Sequence, residues 1–401
     1  MQPEENTLAI VFALGEGREL LPLTAQRTKA AVPFGGNYRI IDFPLANCLR
    51  SGLRRILVLT QQRSHSLHKH LRDGWSIFNA ELGEFVIAVP PQELKAEGYT
   101  GMADALKQTA FLIRRSPCEY VCVLCGEHVY RMDYGAMLDF HIAQEADATL
   151  ACREADDVAA GQTRLALDSE HRVRSIHLPC EPGGEGEICA SIEVAIFSKA
   201  LLLELLDQGR ALVGHGLVYD LLEDKTSRYR VLAYGFGGRT GRVTQDRYWR
   251  SLESLDAYYQ ANMDLLQPFS PMDLYQSDWP IRTYQAQHPP ARTVPGKSSN
   301  EGVFVNSIAG SGTVIAGGGV NHSVLFPSVF VDDAATVEDA ILFSGVRVGE
   351  GAQLRHCLID KEVRIPAGER IGYDRELDAK RFTVTEQGII AVPKAYAFGY
   401  P

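Results

Sequence analysis

The chain has 401 residues, 45% of them hydrophobic, and 40 Lys and Arg against 50 Asp and Glu give a formal net charge of −10. That length exceeds the size at which a single core stops growing, so two domains are expected. The acidic balance argues against a nucleic-acid or anionic-membrane partner, since both are held by excess Lys and Arg. The opening Met1-Gln-Pro-Glu-Glu-Asn6 is acidic where a secretory signal is basic, and the apolar run after it is too short to span a bilayer, so the expected compartment is the cytoplasm.

Thr7 to Ala13 is a continuous apolar run rich in branched residues, which suits a buried parallel strand. Gly15 and Gly17 follow it. Two glycines after a strand fit either a phosphate site built from backbone amides or a plain strand-to-helix turn, and the spacing alone leaves both open. Further along, strand-like runs at Ile56 to Thr60 and Tyr120 to Leu124 alternate with helical stretches at Leu67 to Arg72 and Tyr134 to Glu145. Strands at Ala148 to Cys152 and Val231 to Gly235 and a helix at Lys199 to Asp207 continue the order, which reads as α/β with a mostly parallel sheet. This first domain is expected to cover residues 1–266.

Eight cysteines are scattered along the chain, and none shows the close double pairing of a zinc site. Cys122 and Cys125 form a Cys-x-x-Cys inside the run Tyr120-Val-Cys-Val-Leu-Cys125, where alternation along a strand reads as core thiols. Residues 267–300 read as a linker, because Pro280, Pro289, Pro290 and Pro295 exclude a regular element. From 301 to 401 the period changes. Val331, Val337, Leu342, Val348, Leu354, Ile359, Ile365 and Ile371 recur at steps of five or six, the signature of a parallel β-helix; the alternative is a β-sandwich, whose strands would need longer spacing.

The stretch Leu14-Gly-Glu-Gly-Arg-Glu-Leu-Leu-Pro-Leu-Thr24, with Lys29 and Pro33-Phe-Gly-Gly36, resembles the loop of sugar-nucleotide pyrophosphorylases. Tyr38-Arg-Ile-Ile-Asp-Phe-Pro-Leu-Ala-Asn-Cys48, Gly74-Trp75, Gly101-Met-Ala-Asp-Ala105, Gly126-Glu-His-Val-Tyr130, Tyr248-Trp-Arg250 and Trp279-Pro-Ile-Arg-Thr-Tyr284 follow in order. Together they resemble bacterial and plant ADP-glucose pyrophosphorylase, or glucose-1-phosphate adenylyltransferase, nearly end to end. The resemblance implies a Rossmann-like nucleotidyltransferase domain followed by a left-handed β-helix. It also implies the reaction of ATP with glucose 1-phosphate to give ADP-glucose and pyrophosphate, with Mg2+ held by carboxylates.

Residue by residue, the resemblance also shows altered positions. The family carries two adjacent glycines and then an arginine aimed at the leaving phosphates, where this chain has Leu14, Gly15 and Glu19, with Gly17 between. Lys29 keeps a phosphate-binding lysine. Gln61 matches the adenine-recognising position, and Gly101 with Asp104 match a nucleobase loop. The family's Gly-Asp-His metal motif is Gly126-Glu127-His128, which makes Glu127 the metal ligand, and its Arg-Asp-Val-Gly is Arg250-Ser251-Leu252-Glu253. In the sugar-phosphate pocket Glu-Lys-Pro has become Leu178-Pro-Cys-Glu-Pro182 and Ser-Met-Gly has become Ser191-Ile192-Glu193, while His215 and Asp220 survive from a third segment. Asp42, Asp104 and Asp220 equally suit helix caps or buried hydrogen-bond partners.

Three readings follow. One is a weakly active or non-catalytic regulatory subunit, in a homo- or heterotetramer with an intact family subunit and with an anionic metabolite effector near Arg282, Arg292 and Lys297. Another is an active adenylyltransferase in which Arg18, Glu127 and Glu253 stand in for the family's ligands. The third is a sugar-phosphate or nucleotide sensor without a catalytic partner.

Overall fold

The computed structural model describes residues 2–91, 98–154, 162–178, 187–208, 216–238, 241–243 and 247–399. The chain divides into two compact units. One comprises Met1–Glu16, Ile41–Trp249 and Gln276–Ile281, and the other Gly17–Ile40, Arg250–Tyr275 and Arg282–Pro401.

The first unit is built on β1 (Thr7–Ala13), every residue of which is buried. That explains its unbroken apolar sequence, because a parallel strand covered on both faces has no solvated side to alternate with. It pairs in parallel with β2 (Arg55–Thr60) and, on its other edge, with β3 (Tyr120–Cys125), Ala9 facing both Ile56 and Cys122. The strand Phe85–Val89 extends the parallel array beyond β2. The long strand β4 (Glu187–Ser198) then runs antiparallel against β3 and against Ala148–Glu154, so the parallel core expected from the sequence is joined to antiparallel pairings. Its register shifts between Ser191 and Ala195, the mark of a bulge that re-aims side chains.

Helices pack against the sheet. Asp42, at the start of the helix Asp42–Arg50, accepts hydrogen bonds from His70 Nε2 at 2.6 Å and Trp75 Nε1 at 2.9 Å, which gives this buried carboxylate a scaffold role. His141, on the helix Tyr134–Ala143, is buried and hydrogen-bonded through Nδ1 to Thr149 Oγ1 at 2.8 Å. Burial pushes its pKa from 6.5 down to about 4. The unfolded chain therefore binds a proton that the native state refuses over that interval, and stability falls as pH drops from 6.5 toward 4. The expected loss is at most about 3 kcal/mol, and His141→Gln should flatten the dependence in urea titrations across this window.

In the second unit, Ser254 caps the helix Leu255–Met263 by accepting from the Ala257 amide at 3.0 Å. This helix holds the segment 17–40: Asn262 Oδ1 accepts from the Gly35 amide at 2.9 Å, and the Tyr258 hydroxyl donates to the Pro33 carbonyl. The rest is a parallel β-helix. Val314 lies beside Phe330, Phe330 beside Arg347 and Arg347 beside Arg364, partners 16 or 17 residues apart, which is one coil of three near-hexapeptide edges. The eight apolar positions picked out by the period, from Val331 to Ile371, are all buried. Parallel pairing between successive coils rules out the sandwich. The strand Arg292–Val294, inside the stretch read as linker, already pairs with Val314–Ala316. Among the described residues no helix is long and apolar enough to cross a membrane.

Candidate active site

In the first unit the site grows from the carboxyl end of β1. The Gly126 amide donates to the Phe12 carbonyl at 2.7 Å, and a Cβ at 126 would meet that oxygen at 2.7 Å and Ile41 Cδ1 at 2.8 Å. Only glycine allows this approach. It sets Glu127 beside the loop after β1, where its Oε1 accepts a hydrogen bond from the Gly15 amide at 2.7 Å. A Cβ at 15 would lie 2.7 Å from the Glu127 carboxylate carbon, so the glycine makes room for the carboxylate. An amide of the kind that cradles phosphate oxygens is thus taken by an anion from the same chain.

The nucleobase positions are engaged locally. Gln61 donates through Nε2 to the Tyr99 carbonyl at 2.8 Å and accepts from the Tyr99 amide at 3.2 Å, using both ends of its side chain. Gly101 precedes the helix Met102–Arg115, and Asp104 in its first turn accepts from the Thr100 amide at 3.0 Å and Gln108 Nε2 at 2.9 Å. These contacts fold the segment 98–104 against the sheet end.

At the bulge of β4, Ser191 is buried and its Oγ accepts from the Glu193 amide at 3.3 Å. Glu193 has φ +58°, a left-handed conformation that costs a non-glycine residue about 1 kcal/mol. Its carboxylate stands 3.8 Å from His128 Nε2. Ser191 and Glu193 line a small cavity with Met102, Thr163 and Val218. His215 and most of Leu178-Pro-Cys-Glu-Pro182 lie outside the described residues. Sequence reasoning missed the approach of Glu193 to His128; its one sequence signal was a charged residue where the resembling family has glycine.

In the second unit, Gly17 takes a left-handed φ of +68° ahead of the short helix Arg18–Leu20. Lys29 is buried, its side chain 7% exposed, and its ammonium donates to Glu19 Oε1 at 2.8 Å. Arg18 is exposed. Arg250 pairs with the buried Asp264 at 3.2 Å. Ser251 is half-buried and Glu253 exposed. Two of the positions read as phosphate-directed thus already hold carboxylates of the same chain, the Gly15 amide holding Glu127 in one unit and the Lys29 ammonium holding Glu19 in the other.

The nucleotidyl transferase family matches residues 8–177, and the family described as GlmU-like, C-terminal hexapeptide matches residues 289–392. With the architecture above, they define a nucleotidyltransferase domain followed by a left-handed β-helix. Over 403 aligned residues the chain is 48% identical to "Glucose-1-phosphate adenylyltransferase 2" of Vibrio cholerae, covering 98% of this chain and 99% of the relative. It is 49% identical to the protein of that name from Vibrio parahaemolyticus, covering 98% and 100%, and 39% identical to "Glucose-1-phosphate adenylyltransferase" of Methylococcus capsulatus, covering 96% and 93%. The chain belongs to the glucose-1-phosphate adenylyltransferase family.

Nucleotidyl transferases of this family generally use Mg2+, a hard dication that favours carboxylate and phosphate oxygens. In the first unit Glu127, which the resemblance makes the metal ligand, fits it poorly because one carboxylate oxygen is on the Gly15 amide; in the second, Ser251 offers a hydroxyl where the resembling motif has a carboxylate.

Proposed function

We propose that this chain is a weakly active or non-catalytic, regulatory subunit of an ADP-glucose pyrophosphorylase, working in glucan biosynthesis in the cytoplasm. The observation that carries the reading is the Glu19 carboxylate on the Lys29 ammonium, at 2.8 Å. An anion arriving at Lys29 must displace the carboxylate already seated there, and within the first unit one arriving at the Gly15 amide must displace Glu127. ATP and glucose 1-phosphate bind weakly in consequence. The first 266 residues supply the transferase fold, and the β-helix, which begins at Arg292–Val294 inside the stretch read as linker, supplies the subunit contacts of a homo- or heterotetramer with an intact family subunit.

An anionic effector belongs to this proposal. Arg282, Arg292 and Lys297 are exposed, whereas Lys361 is half-buried. Burial, reinforced by the charges of Arg39 and Arg27, pushes its pKa down to about 7. A bound phosphate ester would relieve that repulsion.

A second reading, an active adenylyltransferase with rearranged ligands, is favoured by the near-full-length likeness to the Vibrio relatives. ADP-glucose formation by the purified chain, alone and mixed with an intact family subunit, separates the two. We expect negligible turnover alone and altered kinetics or effector response in a co-purifying mixture. Turnover by the chain alone at the intact subunit's rate would overturn the regulatory reading.

A further inference from the structure

We propose that Cys125, His128 and Glu193 form a binding site for a divalent transition-metal ion of the zinc type, within the first unit and independent of whether the chain turns over nucleotide. Cys125 ends β3, and His128 opens the next strand, His128–Tyr130, after the two-residue turn at Gly126 and Glu127. Glu193 comes from β4 at the same level, because Val194 of β4 pairs with Leu124 of β3. Three segments therefore deliver a sulfur, an imidazole nitrogen and a carboxylate oxygen to one place, and these atoms lie within 4.8 Å of one another. Ligands on a tetrahedral zinc ion, with bonds of about 2.0–2.3 Å, stand about 3.3–3.8 Å apart, so small side-chain movements close the site.

Two details favour a metal over an ordinary ion pair. The His128 to Glu193 separation of 3.8 Å is too long for a hydrogen bond and close to the span of two ligands sharing one ion. Glu193 is also held at φ +58° by the bulge, and a strained conformation retained beside a cleft points to a use for the side chain it presents. Cys125 and His128 are 4% and 6% exposed, which shields the soft ligands. The Trp249 ring, edge-on to the imidazole with centroids 4.8 Å apart, fixes its orientation.

A thiolate, imidazole and carboxylate set selects zinc, cobalt or iron over magnesium, whose ligands are hard oxygens. On binding, the Cys125 S–H bond breaks, a sulfur–metal bond forms, and the proton leaves to solvent.

The test is titration of cobalt(II) into the chelator-treated full chain. We expect a thiolate-to-cobalt charge-transfer band in the near ultraviolet, saturating at one equivalent and accompanied by release of one proton. Cys125→Ser should abolish the band, and Cys122→Ser, on the same strand, should keep it. Glu193→Gly, which places glycine at a left-handed position and so folds readily, should weaken cobalt affinity at least about tenfold. No band in the wild-type chain, a band that survives Cys125→Ser, or unchanged affinity in Glu193→Gly would each overturn the site.

Discussion

Restoring the family's residues at three positions, with Glu19→Arg, Glu127→Asp and Ser251→Asp combined, should raise ADP-glucose formation by the chain alone by about a hundredfold or more. Removing one preorganised donor from a charged transition state typically costs about 10²–10³ in rate, and the combination replaces a repulsive carboxylate with a donor while restoring a metal carboxylate. No single replacement should achieve this. Residues that act as a unit are non-additive: Glu19→Arg alone leaves the Gly15 amide occupied by Glu127. The same variant should melt lower. Lys29 is buried and loses its bond to Glu19, a loss of about 1–3 kcal/mol that falls at the low end because the Glu19 side chain is 36% exposed and screened by solvent. A folded variant with unchanged turnover would mean that charge reversal is not what limits this chain. A clear rise in melting temperature would contradict the view that these substitutions stabilise it.

The regular elements were legible because their causes are local. Thr7–Ala13 and Lys199–Asp207 occupy the spans that their apolar patterns predict, and the near-hexapeptide step forecast the buried ladder from Val331 to Ile371. The start of the β-helix was not legible. Arg292–Val294 is too short and too exposed to carry a period, and only its pairing with Val314–Ala316 reveals it as a strand. Glu127 could be read as an altered metal position, yet its bond to the Gly15 amide spans 112 residues and depends on how Gly126 packs against β1. For Cys122 and Cys125 the pattern predicted core thiols, and both are buried. Alternation along the strand could not distinguish them, because what sets Cys125 apart is the bulge of another strand. Local propensity thus fixed the scaffold, and the chemistry emerged where distant loops meet.

Arg27→Met should cost the second unit about 3–5 kcal/mol, among the largest effects of any single substitution, because it strands a buried carboxylate. Arg27 Nη2 reaches both oxygens of Asp360, at 2.9 and 3.1 Å, with side chains 5% and 2% exposed. Asp360 Oδ1 also accepts from the Lys361 amide at 2.6 Å, so the carboxylate cannot turn away to water. Two neighbours move the expected loss toward the lower figure. Lys361 is pushed down to about 7 by burial, Arg39 and Arg27, so removing Arg27 lets the lysine hold its proton more firmly and screen Asp360 in its place. The methionine still packs toward the Phe343 ring, which lies 6.0 Å from the guanidinium. Adding Asp360→Asn removes the stranded charge and keeps an acceptor for the Lys361 amide, so the double variant should recover at least half of the loss. Hydrogen exchange at Phe330–Val331 and Arg347–Val348 reads the effect within the β-helix itself, where a global melt of a two-unit chain would blur it. Equal loss in the single and double variants would assign the effect to packing around Arg27, since removing the unpaired charge would then have changed nothing.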